Sequence, residues 1–394
     1  MKIKPTFKRI GLLPKILMAI ALGIVLSFVL PNWAVRIFVT FNSIFSNFLS
    51  LFVPLMIIGL VAPGIFEMGK GAGKLLLLTV AIAYFSTILS GFFSYGVCSL
   101  SFEKVMGTSI SALGQMDMSG GFMPYFTIEM PSFISVTTAL VLSFVFGLAL
   151  IHVEGNVLRN GFCEFQEIVT RVITKLIIPL LPLFIFGIFL KMGAEDKVGP
   201  VMGMFIKIIL VIFAMHVFFL VFQFCVAGAV ARKNPFKALW NMMPAYVTAL
   251  GTQSSAATIP VTRAQCLKNG VRPQVVNFTV PLCATVHLSC SILKIVACAY
   301  AISLSMGMDA SLPTYAGFIL MLGITMVAAP GVPGGAIMAS IALLESMLGF
   351  DANMIGLMIA LYITMDSFGT AGNVTGDGAI ALIIDRISKK QKDE

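Results

Sequence analysis

The sequence predicts an all-α polytopic membrane protein with eight membrane-crossing helices and two re-entrant helical hairpins, and three observations carry that expectation. Of its 394 residues, 58% are hydrophobic and only 11% charged, and the mean hydropathy of +1.00 is far from that of soluble domains. Apolar runs long enough to cross a bilayer follow one another, with basic residues in every other connection. In the second half, two apolar segments are interrupted by Gly, Pro, Ser and Thr, and each precedes a long apolar run.

Six runs come first, over about residues 12–30, 37–66, 75–100, 134–152, 169–190 and 202–230. Lys2, Lys4, Lys8, Arg9 and Lys15 open the first of them, as in a signal peptide. No small-residue cleavage site follows and another apolar stretch begins at once, so this run is expected to span. Lys70 and Lys74 follow the second run, Arg159, Arg171 and Lys175 the fourth, and Arg232, Lys233 and Lys237 the sixth, which assigns these loops and the N-terminus to the cytoplasm. The opposite loops carry mixed charge, with Glu103 beside Lys104, and Glu195 and Asp196 beside Lys197. Trp33 falls at an expected interface. Arg386, Lys389, Lys390 and Lys392 put the C-terminus inside as well, which requires an even number of crossings.

Past Pro244 the pattern changes. The stretch TALGTQSSAATIPVTRAQ, residues 248–265, is apolar but interrupted too often for one spanning helix, and a run over 273–305 follows. The arrangement recurs: residues 315–348 are broken by APGVPGGA at 329–336, and a run over 354–384 comes next. Irregular backbone survives at membrane depth only when buried in protein or lining a cavity, and paired interrupted segments point to a transporter's central site. Ordinary helices kinked at proline are the alternative. If each interrupted segment enters and leaves on one face, the crossings number eight. The first hairpin then opens from the cytoplasm beside Lys237 and Lys268, and the second from outside near Asp309 and Asp351, an inverted repeat.

The polar residues of YITMDSFGTAGNVTGDG, residues 362–378, form a stripe: on a helix Thr370, Asn373 and Asp377 all lie within roughly 40° of Asp366. Charge in hydrocarbon costs several kcal/mol unless partnered, so such a stripe marks a ligand or ion path; a polar seam between helices is the alternative. Other classes fit less well. An intramembrane aspartyl protease needs two carboxylates sharing a proton, whereas Asp366 and Asp377 lie about 16 Å apart along one helix. A channel does not need paired gates. There is no Gly-rich phosphate loop, Ser/His/Asp ordering or HExxH, so neither an enzyme nor an organic cofactor is expected. The net charge of +9 sits in short loops without interleaved aromatics, which argues against nucleic acid. The seven cysteines lack CxxC spacing and several, such as Cys225, Cys283, Cys290 and Cys298, lie in apolar segments, as free thiols do. His152 and His216 have no neighbouring ligand residues and read as structural.

Four stretches, TQSSAATIP at 252–260, PLCATVHLSCS at 281–291, GVPGGAIM at 331–338 and NVTGD at 373–377, resemble in order and spacing the four signatures of the glutamate transporter family, the dicarboxylate/amino acid:cation symporters. The resemblance covers nearly the whole chain. It implies a homotrimer in the plasma (inner) membrane, with both termini cytoplasmic and an elevator-type core that slides against a scaffold. The scaffold would be residues 1–70 (helices 1 and 2) and 101–198 (helices 4 and 5). The transport domain would be 71–100 (helix 3) and 199–394, with helix 6, hairpin 1 at 240–268, helix 7 at 273–305, hairpin 2 at 313–348 and helix 8 at 351–386. The family's substrate site falls on Ser255, Ser291, Val332, Gly334, Asp366, Thr370 and Asn373. Asp366 suits an ammonium, while Asn373, Ser255 and hairpin N–H groups suit a carboxylate.

Two departures shape the expected function. Acidic-substrate members carry an arginine three residues after the aspartate or just before the serines of the first hairpin; here those positions are Gly369 and Gln253. A buried carboxylate without a partner is costly, so a small or medium neutral amino acid is expected, with Gly369 leaving it room. The family's seventh-helix signature Asn-Met-Asp-Gly-Thr is replaced by His287, Leu288, Ser289, Cys290 and Ser291, which removes an anionic sodium ligand, and Lys294 stands three residues on. Lys294 is expected to take the place of a coupling cation, paired with Asp377 or Asp366, with proton coupling through His287 or exchange replacing strong sodium dependence. Snorkelling of Lys294 to an interface is the alternative. Tyr84 and Thr87 correspond to the third helix's part of the sodium sites, and the retained Asp377 leaves one position for Na+. The runner-up is a conventional sodium- or proton-coupled symporter of dicarboxylates or acidic amino acids.

Overall fold

The computed structural model describes residues 12–69, 74–106, 122–131, 133–134, 136–195, 198–327, 329 and 334–393. Among these the regular structure is helical and no strand occurs. The first half contains α1 (Leu12–Ser27), α2 (Asn32–Gly69), α3 (Lys74–Met106), α4 (Val136–His152), α5 (Val157–Ala194) and α6 (Val198–Ala231), matching the six apolar runs. A π turn, Ile173–Ile177, lies inside α5. Apolar side chains such as Leu22, Val141 and Leu210 are more than half exposed on the outer faces, an arrangement suited to lipid rather than water. Trp33 is 62% exposed. Among the described residues, four helices are long and apolar enough to cross a membrane: Leu77–Phe102, Val157–Ala194, Met202–Ala231 and Pro273–Ser305. Ala352–Thr364 with Asp366–Ser388 also passes that test as a pair bent by 60°. The chain is a multi-pass membrane protein.

The interrupted segments fold as helical hairpins rather than kinked spans. After α7 (Pro235–Asn241), the arms of the first are α8 (Met243–Thr252) and α9 (Ser255–Lys268), which pack on each other. Gln253 turns the chain with a left-handed φ of 54°, and the Ser254 hydroxyl caps α9 by accepting from Ala257 N at 3.3 Å. The arms of the second are α12 (Leu312–Val327) and α13 (Gly335–Leu348), with Gly334 at φ 74° leading into α13. Val332 lies outside the described residues.

Two runs expected to be continuous are interrupted. The seventh-helix run divides into α10 (Pro273–Val286) and α11 (Ser289–Ser305) at His287 and Leu288. The eighth divides into α14 (Ala352–Thr364) and α15 (Asp366–Asp393) at Met365. Neither break contains Gly or Pro, and distant side chains bond to the backbone at the seventh-helix one. Ser90 Oγ donates to Ser289 O at 2.7 Å, His216 Nε2 to Cys290 O at 3.1 Å, and Cys290 N to Asn373 Oδ1 at 2.8 Å. His216 is thus a backbone clamp, while the exposed His152 pairs with Leu148 O on its own helix. All seven cysteines are free thiols.

Polar clasps fix the two ends. Arg272 donates to Asp385 Oδ1 at 2.7 Å and to Ser388 Oγ at 2.7 Å, tying the start of α10 to the basic tail, and Lys233 Nζ donates to Asn269 O at 2.6 Å. At the mouth of the second hairpin, the hydroxyl of Thr314 and the N–H and hydroxyl of Ser311 donate to Asp309, holding its carboxyl below the usual carboxylate range. The early and late helices meet where α14 crosses α5. A Cβ at Gly356 would lie 1.9 Å from Ile188 Cδ1 and 3.5 Å from Phe184, so any side chain there forces Ile188 to move. Gly356→Val is expected to destabilise the detergent-solubilised protein by about 1–3 kcal/mol, with most of the loss recovered in an Ile188→Ala background. Equal thermal midpoints for wild type and Gly356→Val would show that α14 and α5 are not packed this way.

Candidate functional site

The hairpin tips, the break in the seventh helix and the bend in the eighth converge on one small cavity. Gln253 and Ser255 line it from the first hairpin, Gly335 and Ala336 from the second. Thr285 and Ser291 contribute from α10 and α11, and Tyr362, Asp366, Thr370 and Asn373 from α14 and α15. Its volume is about 30 Å³, room for roughly one water. Asp366, Thr370, Asn373 and Asp377 all lie on α15 and are at most 8% exposed, so the stripe faces protein throughout.

Asp366 opens α15, where the helix dipole favours an anion. Its Oδ1 lies 3.2 Å from Lys294 Nζ, and its Oδ2 accepts from Gly334 N, at the tip of the second hairpin, at 2.8 Å. Lys294 is fully buried, ruling out the snorkelling alternative, and its ammonium also sits 3.7 Å from the centre of the Tyr362 ring. Tyr362 donates its hydroxyl to Ser291 Oγ at 3.2 Å, and Asn373 Nδ2 donates to the same oxygen at 2.9 Å. Gln253 Nε2 donates to Ser367 Oγ at 2.9 Å, joining the first hairpin tip to α15.

The space at Gly369 belongs to the lysine. A Cβ there would lie 2.5 Å from both Cε and Nζ of Lys294, and Gly369 does not line the cavity. The room beside Gly369 in this arrangement is thus taken by the Lys294 stem.

A second buried pair lies deeper along the stripe. His287 Nδ1 is 2.9 Å from Asp377 Oδ1, with both residues about 1% exposed. Gln223 Nε2 donates to Ser86 Oγ at 3.0 Å and to Ser289 Oγ at 3.2 Å, and lies 3.3 Å from His287 Nε2. An ionised carboxylate only accepts, so beside a charged Asp377 the His287 Nδ1–H donates to it. Lys294 thus pairs with Asp366 and His287 with Asp377.

Tyr84 and Thr87 do not reach Asp377 by any hydrogen bond: the Tyr84 hydroxyl is 3.4 Å from Leu320 O, and Thr87 Oγ1 donates to Ala83 O at 2.8 Å. Their neighbours Ser86 and Ser90 reach the seventh-helix break instead, because one residue along a helix turns a side chain by about 100°. Sodium asks for several converging oxygens. Asp377 itself is hydrogen-bonded to an imidazole, and the Gln223 side-chain oxygen lies beside neighbouring Gly376 with no hydrogen-bond partner among the described groups. Tyr362, Ser86 and Gln223 were not singled out from the sequence. The signal for α3 was there: Ser86, Ser90 and Ser94 recur every four residues on one face, and all three bond to the seventh helix.

The family model described as the sodium:dicarboxylate symporter family matches residues 12–387. The chain is 30% identical over 273 residues to excitatory amino acid transporter 3 of Oryctolagus cuniculus, covering 66% of this chain and 50% of that protein. It is 29% identical over 278 residues to excitatory amino acid transporter 1 of Ambystoma tigrinum, with 67% and 50% covered. It is 28% identical over 282 residues to excitatory amino acid transporter 4 of Mus musculus, with 67% and 48% covered. The chain spans about half the length of the curated relatives it matches. These similarities bear out the resemblance to the glutamate transporter family carried by the four motifs, and the chain belongs to the sodium:dicarboxylate symporter family, whose members are transporters rather than enzymes.

Proposed function

We propose that this protein is a secondary transporter that carries a small neutral amino acid across the plasma membrane by an elevator mechanism, with strong sodium coupling absent. The observation that carries the reading is the cavity between the two hairpins, whose lining among the described residues holds one carboxylate, several neutral donors and no cation. An ammonium pairs with Asp366, and a carboxylate finds Ser255, Thr370 and Asn373 and the hairpin N–H groups, Val332 included, and Gly334 once its N–H leaves Asp366. A second carboxylate on the solute would meet no lining cation and carry the penalty of an unpaired buried charge. The cavity has room for roughly one water, so loading requires the second hairpin to lift.

In this reading residues 1–70 and 101–198 form the scaffold, and 71–100 with 199–394 form the moving core. Eight crossings and two hairpins then leave both termini cytoplasmic, and three copies assemble in the bilayer. Lys294, with its ammonium on Asp366, stands in for a coupling cation, and the His287–Asp377 pair is suited to hold a proton. A second reading, transport of an acidic amino acid or dicarboxylate, draws on the family description and on Lys294 as a cation adjoining the cavity.

Uptake into proteoliposomes decides between them. Serine, alanine and larger neutral amino acids are expected to show saturable, mutually competitive uptake that persists without sodium. Competition by aspartate alone would establish the second reading, and steep sodium dependence would remove the surrogate role of Lys294.

A further inference from the structure

Both oxygens of Asp366 are partnered by the chain itself: Oδ1 by Lys294, and Oδ2 by the N–H of Gly334. The second hairpin is therefore latched to α15 through a carboxylate whose charge is balanced by a resident ammonium. That ammonium is firmly held. Its stem fills the groove left by Gly369, its charge lies over Tyr362, and its surroundings on α11 are buried along nearly the whole helix. A buried carboxylate stripped of its partner carries a steep desolvation penalty, which lifting the hairpin and admitting water relieves. A carrier that releases its cargo on one side must close again before it returns, and closing over an uncompensated charge is what this penalty opposes.

We infer that Lys294 is the resident cation of the unloaded carrier: with its ammonium on Asp366, the second hairpin shuts over a cargo-free site, and the transport core returns with neither cargo nor a counter-transported cation. An incoming solute ammonium competes with Lys294 for Asp366. The protein therefore performs net transport and is not confined to exchange. This rests on the transporter reading above and not on which amino acid is carried.

Hydrogen exchange on the full-length protein in lipid nanodiscs, with no amino acid added, tests the latch without reference to the cargo. Lys294→Met keeps the stem and removes the charge, so amides of residues 334–340 are expected to exchange at least about tenfold faster than in wild type, while α2 and α5 do not change. Lys294→Met/Asp366→Asn removes both charges and is expected to return the hairpin to within about threefold of wild type. Equal exchange in Lys294→Met and wild type overturns the inference, as does a double variant that stays as fast as the single. Flux tests the consequence. Efflux of preloaded serine from wild-type proteoliposomes into serine-free medium is expected to run within about threefold of efflux into serine-containing medium, and acceleration by more than about tenfold would mean obligate exchange and overturn net return. Absence of serine flux in both media counts against the amino-acid reading, while hairpin exchange decides the latch by itself.

Discussion

Asp366→Asn is expected to lower the efficiency of neutral amino-acid uptake by at least about thirtyfold, because a desolvated charge pair that loses one partner forfeits about 2–5 kcal/mol and each 1.4 kcal/mol is tenfold. The loss has two sources. The cavity loses the one carboxylate lining it among the described residues, and Lys294 is left buried beside a neutral amide whose latch to Gly334 is weakened. Lys294→Met/Asp366→Asn separates them, since it relieves the stranded ammonium yet offers the solute nothing ionic. Initial uptake rates at matched protein amounts should remain low in both variants. Uptake within about threefold of wild type in Asp366→Asn would remove this residue from the binding site.

Gly369→Arg is expected to abolish transport, and the physical reason is specific to this chain. Any side chain at 369 enters the volume held by Cε and Nζ of Lys294, 2.5 Å from the new Cβ, and an arginine adds like charge there. Emptying that volume should reverse the defect. In Gly369→Arg/Lys294→Ala the cation comes from α15 instead of α11, at the position where the resembling acidic-substrate transporters carry it. Uptake is expected to recover, with aspartate gaining on serine by about a hundredfold or more as a side-chain carboxylate finds a bidentate partner. A double variant that folds, judged by a single symmetric gel-filtration peak, and still prefers serine would show that Lys294 and Gly369 do not set the charge of the site.

Much of the site was legible because its signals are local. A hairpin at membrane depth needs Gly, Pro and capping hydroxyls within a few residues, and Gln253, Ser254 and Gly334 supply the turns where the interrupted segments announce them. The stripe from Asp366 to Asp377 follows from helical periodicity alone and survives intact on α15. The breaks at His287 and Met365 were not legible. No Gly or Pro marks them, and at the seventh-helix break Asn373, 83 residues away, takes up the Cys290 N–H that the new helix start leaves unpaired, while Ser90 and His216 add contacts to the Ser289 and Cys290 carbonyls.

The sequence by itself determined that this is a membrane-embedded helical protein of the glutamate transporter family, where its two hairpins lie, and that one carboxylate stripe, a lysine and a histidine had to be reconciled in a dry interior. Only the tertiary structure decided the pairing: Lys294 with Asp366 at the hairpin tip, and His287 with Asp377 further along α15. The reason is geometric. Helical spacing says which side chains share a face of one helix, but which buried charge meets which across two helices depends on the break at His287, the bend at Met365 and the groove at Gly369 that admits the lysine stem.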